Sequence, residues 1–320
     1  MRAASPSPAL GSPAPSRSAD VRRGTLAAVL AAAIWGTVFP ISKLVMTEVP
    51  PVTLVAARML LAAATLFAWQ ALRGRPLALP RGAWREVFLM AVIGNAFSIV
   101  AQFKGTALAG AAVGSLVTTA SPLVTVVVFA LCGHEEVRGR AWAGLALAML
   151  GVWGLSGSGG AGSPAGLWWL VAAAVSWGLL GVVGGRAARS HDPALLTAWA
   201  SLLAAVALAP IAPFELRATP LGALTPGVWW GLAYLGTVST AGAFALWVYG
   251  VAEAGAVRTT LAFFAQPLIG AALGALALGE PFGWRSLGGS LLLAAGVWLA
   301  QARSETRVSR AELRDSSTWT

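Results

Sequence analysis

From Gly24 to about residue 302 the chain is a succession of apolar runs, most of them long enough to cross a bilayer, with little polar sequence between them. A spanning helix needs about 20 mostly apolar residues. Inside lipid the backbone must satisfy its own N–H and C=O groups, so such runs become helices. The runs fall at 25–45, 51–72, 85–105, 109–132, 138–157, 166–186, 193–212, 226–249, 256–278 and 286–302. The separators carry breakers: Pro50-Pro51, the arginine-rich stretch 73–85, Ser156–Pro164 and Pro210–Pro226. The expected fold is all-α and integral to the membrane, with ten transmembrane helices. Composition agrees, because only 11% of residues are charged, where a soluble domain carries about a quarter.

Residues 1–23 are rich in Pro, Ala, Ser and Arg and read as a disordered cytoplasmic tail, with a second tail at 303–320. The first apolar run has full spanning length, so it reads as an uncleaved helix rather than a signal peptide. Net charge is +10, which in a soluble protein would suggest nucleic acid; here the distribution of charge matters more. With the N-terminus inside and ten alternating crossings, 17 of the 22 lysines and arginines fall on the cytoplasmic side and three on the other. The positive-inside rule then places both termini in the cytoplasm. The reading is a multi-pass protein of the plasma (bacterial inner) membrane, surrounded by lipid, with no nucleic-acid partner, as a monomer or weak homodimer.

Several chemistries are excluded. The single cysteine, Cys132, builds neither a disulfide framework nor a cysteine metal site. His134 and His191 lie at the ends of apolar runs, so no metal, cofactor or His-based dyad is expected. The run Ser156-Gly157-Ser158-Gly159 has no base to activate a serine and reads as a loop.

The chain also repeats itself, which dictates architecture. At an offset of 145, Gly105, Gly110, Pro122, Glu135, Arg140, Gly144, Gly151 and Trp153 fall on Gly250, Gly255, Pro267, Glu280, Arg285, Gly289, Gly296 and Trp298. At an offset of 142, Trp35-Gly36 falls on Trp177-Gly178 and Pro51 on Pro193. The first repeat is read over 24–157 and the second over 158–302. Each holds five helices. Five is odd, so the second copy enters from the opposite side, as inverted-topology repeats of secondary transporters do.

Trp-Gly in helix 1 of each copy, Gln266-Pro267, Leu278-Gly279-Glu280, and Gly144 with Gly151-Val152 repeated as Gly289 with Gly296-Val297 resemble the EamA-type branch of the drug/metabolite transporter superfamily. The likeness covers roughly residues 25–302. The first copy departs from the pattern at Gly133-His134-Glu135-Glu136, where Glu135 takes the glutamate position by its spacing to Gly144. The resemblance implies a cavity between helices 1, 3, 4, 6, 8 and 9, and a small metabolite as substrate, often an amino acid moved outward. More distant branches carry nucleotide sugars, and drug export is a further alternative.

Charges inside spans are the first functional candidates. Arg58 can bind a substrate carboxylate or bond helix-end carbonyls; the second copy has Ala200 there, so the feature is asymmetric. Lys43 can attract anions at the outer mouth or snorkel to the interface, and Lys104 reads as an anchor. Glu135 and Glu280 precede the fifth and tenth helices, where a carboxylate suits the helix dipole. Asn95, Ser98 and Gln102 are spaced at three and four and share one helix face. With Ser121 and Gln266 they form a cavity wall or bind helices together. Trp35, Phe39, Trp177, Trp247 and Phe263 line an aromatic pocket or fill the core. Pro40, Pro122 and Pro267 interrupt helices and serve as hinges; Gly144 and Gly289 sit on packing faces. Tryptophans near span ends, such as Trp84, Trp168, Trp229 and Trp284, read as an interfacial belt.

The functional expectation is a secondary transporter that moves a small metabolite, an amino acid or a related carboxylate or zwitterion, by alternating access, with export implied by the resemblance. An intramembrane enzyme and a channel-like permease are the other classes considered. All twelve acidic residues fall in tails, loops or span ends, with Glu253 nearest to a span. Proton coupling usually runs through buried Asp, Glu or His, so a facilitator or exchanger is expected.

Overall fold

The computed structural model describes residues 16–121, 123, 139–156, 163–188, 190–217, 224–281 and 283–301. Its helices start and stop at the breakers. α1 (Ser16–Val45) ends ahead of Pro50-Pro51, and α2 (Pro51–Leu72) opens on that pair. Proline has no N–H to lose in the first helical turn, and its fixed φ suits one. The same device opens α6 (Pro164–Ala187), α7 (Pro193–Leu208) and α8, which runs 226–262. α3 runs 84–109, and Gly110, at φ +97°, turns the chain into α4, described over Ala111–Thr118. A side chain at that φ would be strained, so glycine is needed. α5 (Gly139–Ser156), α9 (Ala265–Leu278) and α10 (Trp284–Gln301) complete the set, with a short helix Ala212–Leu216 after α7.

Five stretches are long and apolar enough to cross a membrane: Asp20–Val45, Pro51–Leu72, Arg81–Ala109, Pro164–Gly181 and Pro226–Ala254. Shorter apolar helices accompany them, and no strand occurs among the described residues. The chain is an all-α membrane protein. Trp84, Trp168, Trp229, Trp230 and Trp284 are exposed on its surface, as an interfacial belt requires.

Three boundaries differ from the sequence reading. α1 starts at Ser16, inside the stretch read as tail, with Asp20 and Arg23 paired one turn apart. α8 continues through Ala262, across the separator expected at 250–255. Residues 250–262 contain no proline, so nothing there ends the helix, and the chain turns at Phe263–Phe264 instead. Pro267 therefore lies in the first turn of α9, where it starts a helix rather than interrupting one. Pro40 does sit inside α1. Pro122, Glu135 and Glu136 lie outside the described residues.

The packing obeys a two-fold exchange of α1–α5 with α6–α10. α1 packs on α8 and α9, and α6 on α3 and α4; α2 packs on α8, and α7 on α3. The pairs α2·α7, α4·α9 and α5·α10 exchange with themselves. This exchange of packing partners is the one that two inverted five-helix repeats require.

Small residues let the halves close. A Cβ on Gly151 would lie 2.6 Å from the Leu293 nitrogen, and one on Gly296 would lie 2.5 Å from the Gly144 oxygen. A Cβ on Gly36 would meet the Gln266 carbonyl at 2.6 Å, and one on Gly270 would meet the Ser115 Cβ at 2.3 Å. Helices in lipid lack a hydrophobic drive between them and gain instead from such close approach.

Carboxylates cap helix ends across the chain. Glu215 accepts from the Thr53 N–H of α2 at 2.9 Å, and Glu48 from the Thr225 N–H ahead of α8 at 2.8 Å. Asp192 caps its own α7 through the Ala194 N–H at 2.8 Å, and also accepts from Gln70 and Arg75, both at 3.0 Å. Glu280 corrects the sequence reading. Its oxygens accept from the Ala111 and Ala112 N–H groups of α4, at 2.8 and 2.9 Å, rather than serving α10. The left-handed turn at Gly279 (φ +62°) follows the last residue of α9 and leads into Glu280. Lys43 is likewise corrected: it donates to Glu280 instead of snorkelling. Burial alone would raise the Glu280 pKa, but the two N–H donors and Lys43 outweigh it and hold the carboxyl below the ordinary 4.5.

Two outcomes are expected. Gly296→Leu should push α5 from α10 and cost at least the ~1–3 kcal/mol typical of overpacking, seen as a lower thermal midpoint in detergent. Gly283→Leu, whose Cβ would meet nothing within 4 Å, should leave the midpoint unchanged. A carboxyl with a lowered folded pKa contributes stability above its unfolded value and loses it as pH falls through the folded value. The stability difference between wild type and Glu280→Gln should therefore hold near neutrality and shrink below pH 4.5, the ordinary glutamate value.

Candidate functional site

α3 and α8 each leave the α-helical register at matching places. Met90–Ser98 in α3 and Tyr234–Gly242 in α8 are π-helical, bonding i to i+5. Such stretches are rare and cluster at functional sites. The wider turn changes which side chains face which way, and both stretches border one cavity of about 800 Å³.

Most of the residues singled out from the sequence meet there. Trp35, Phe39, Arg58, Asn95, Gln102, Ser121, Trp177, Trp247, Phe263 and Gln266 all line the cavity. Ser98 does not. Its hydroxyl is fully buried and donates to the Ala173 carbonyl of α6 at 3.1 Å. The sequence reading assumed 3.6 residues per turn throughout, but Met90–Ser98 is π-helical, so the spacing of Asn95, Ser98 and Gln102 no longer puts all three on one face. Gly144 and Gly289 lie in the α5–α10 contact, away from the cavity.

One wall is aromatic. Trp35 and Trp247 have ring centroids 5.1 Å apart, and Phe263 stands edge-on to both at 6.0 and 5.6 Å. Edge-to-face pairs at such spacings hold rings in fixed orientations. The Trp35 indole N–H donates to the Ser239 carbonyl at 3.0 Å. In the other half the equivalent Trp177 donates to the Gln102 Oε1 at 3.1 Å. Each first helix thus pins its tryptophan against the third helix of the opposite repeat.

Arg58 is buried on the wall formed by α2. Its Nε donates to the Thr240 Oγ1 at 3.0 Å, and its guanidinium lies 5.4 Å from the Phe103 ring centroid. Thr240 passes its own proton to the Leu235 carbonyl at 2.8 Å, inside the π stretch of α8. The matching contact in the other half is neutral: Asn95 of α3 donates to Ser201 of α7 at 3.4 Å. The cavity is therefore two-fold in shape and one-sided in charge.

Sequence reasoning missed Thr240, Ser239, Ser201, Thr197 and Thr118, all cavity-lining hydroxyls. Single Ser and Thr residues in apolar helices look unremarkable because they bond their own backbone. The signal for Thr240 was present: carrying the offset of 145 back to Asn95 lands on it. Glu253 lies in α8 as feared for a proton carrier, but it is exposed and crowds Gly24 of α1 rather than facing the cavity.

The sequence pattern of the EamA-like transporter family matches residues 22–157 and again 164–301. The chain belongs to the EamA-like transporter family. It is 28% identical over 291 residues to a "Probable amino-acid metabolite efflux pump" of Salmonella typhimurium, covering 87% of this chain and 94% of that one. An uncharacterized transporter of Synechocystis is 22% identical over 88% of this chain and 90% of its own. A solved crystal structure superposes with a TM-score of 0.62 at 24% identity, covering 91% of this chain and all of that one, which supports the fold. A multi-pass transporter with an internal cavity is the frame within which the site residues act. Because Thr240 alone among these residues holds Arg58, Thr240→Val should free the guanidinium and weaken substrate binding by several-fold, read as a raised KM for flux in proteoliposomes.

Proposed function

We propose that the protein is a secondary transporter that moves a small carboxylate-bearing metabolite outward across the plasma membrane by alternating access. The observation that carries this reading is Arg58. Nε is bonded to Thr240, and the terminal N–H groups have no hydrogen-bond partner among the described residues. A guanidinium fork with free donors matches a carboxylate bidentately. Binding such a ligand supplies the partner that a buried charge otherwise lacks.

The state of the cavity fits one half of a transport cycle. Its lining reaches Ala188 past the end of α6 and Pro193 at the start of α7. By arginine distribution that side is cytoplasmic, and both termini lie there. On the other side, Lys43, Glu280 and the start of α4 are tied together, as are Glu215 with Thr53 and Glu48 with Thr225. On this reading the cavity faces inward, and outward opening breaks the Lys43–Glu280 tie.

None of the described carboxylates lines the cavity. A facilitator or exchanger driven by the substrate gradient follows. In proteoliposomes, counterflow of a carboxylate substrate should be saturable and unchanged by a protonophore. Arg58→Ala should lower kcat/KM by about ten- to a hundred-fold, the range expected from losing a charge-assisted hydrogen bond. Undiminished flux in Arg58→Ala would remove the arginine from its role, and protonophore-sensitive accumulation would show coupling.

A further inference from the structure

We infer that the cavity selects a carboxylate borne on an apolar, ring-sized body without an ammonium group: a carboxylic acid or N-acylated amino acid rather than a free zwitterion. This rests on the assignment of Arg58 as the carboxylate anchor and specifies what the rest of the ligand must be. Arg58, with its Nε held by Thr240 and its plane beside Phe103, is the charged side chain among the described lining residues. Among the described residues nothing of opposite sign faces it.

The described acidic residues lie elsewhere. Glu48, Glu215, Asp192 and Glu280 cap helices, Asp20 pairs with Arg23, and Glu253 is exposed; Glu86, in the first turn of α3, has one buried oxygen without a partner but is not among the residues lining the cavity. The amide of Gln102 is turned the same way. Trp177 occupies the carbonyl oxygen of Gln102, which leaves the amide N–H donors of that side chain for a ligand. Trp35 occupies the carbonyl of Ser239, and the hydroxyls of Ser239 and Thr240 both donate to Leu235. A ligand carboxylate therefore finds the Arg58 guanidinium and the Gln102 amide N–H groups. A ligand ammonium gives up its water for hydroxyl oxygens and ring faces, with no counter-charge. The body of the ligand meets Trp35, Trp247 and Phe263, and a volume of about 800 Å³ accommodates an aromatic ring with its side chain.

The test compares ligands that differ at the amine alone. Wild-type protein in liposomes is assayed for counterflow of 3-phenylpropionate, N-acetylphenylalanine, phenylalanine and phenethylamine. The two monoanions should have kcat/KM at least ten-fold above phenylalanine, and phenethylamine should not be moved. Asn95→Asp, which adds a negative charge to the cavity wall, should narrow or reverse that ratio, and Arg58→Gln should abolish the advantage of the monoanions. Phenylalanine moved as well as or better than 3-phenylpropionate, with flux still lost in Arg58→Gln, would overturn the selectivity while leaving the carboxylate anchor in place. Carboxylate flux indifferent to Arg58→Gln, or flux of none of the four by folded protein, would overturn both.

Discussion

Every backbone N–H and C=O of this chain at membrane depth must find a partner inside the protein, because lipid offers none. Helices meet that demand along their length, but not at their ends, where N–H groups are left over. The caps answer it here. Glu280 reaches the first N–H groups of α4, Glu215 those of α2, and Glu48 the residue before α8. Each cap joins segments far apart in sequence, so satisfying a helix end also joins one part of the fold to another. Glu280 serves α4 from the other repeat, and Lys43 of α1 joins the same carboxylate. The same requirement explains why the acidic residues lie at span ends.

Departures from α-helix are tolerated only where something meets the displaced groups. The π stretches of α3 and α8 are such departures, and the hydroxyls of Ser239 and Thr240 fold back onto Leu235 within one of them. They also turn Asn95, Ser239 and Thr240 toward a shared cavity. The two-fold exchange of the repeats then places one neutral contact, Asn95 with Ser201, opposite one charged contact, Thr240 with Arg58. Divergence of the two halves at this contact, Arg58 against Ala200 and Thr240 against Asn95, gives a symmetric scaffold a direction for an asymmetric ligand.

The membrane class, the repeat and most of the cavity residues were legible in the sequence. Apolar length and matched Pro, Gly and Trp residues report the fold directly, and polar or aromatic residues deep in a span are few enough to single out. What stayed hidden depended on tertiary partners. The offset of 145 paired Glu280 with Glu135, but could not show that Glu280 reaches α4 rather than α10. Ser98 was misplaced because a π-helical turn leaves no mark in residue spacing. The end of α8 was misplaced because residues 250–255, read as a separator between two spans, lie within a continuous helix.

The inverted relation of the two halves underlies the cavity, the ties and the transport cycle alike, and side-specific labelling tests it most directly. Thr47 follows α1 and Ser190 follows α6, and both are exposed. In a Cys132→Ser background, Thr47→Cys and Ser190→Cys can each be offered a membrane-impermeant maleimide from either face of intact and inverted vesicles. Inverted repeats require the two positions to be labelled from opposite faces, Thr47→Cys from outside and Ser190→Cys from the cytoplasm. Labelling of both from the same face would contradict the architecture.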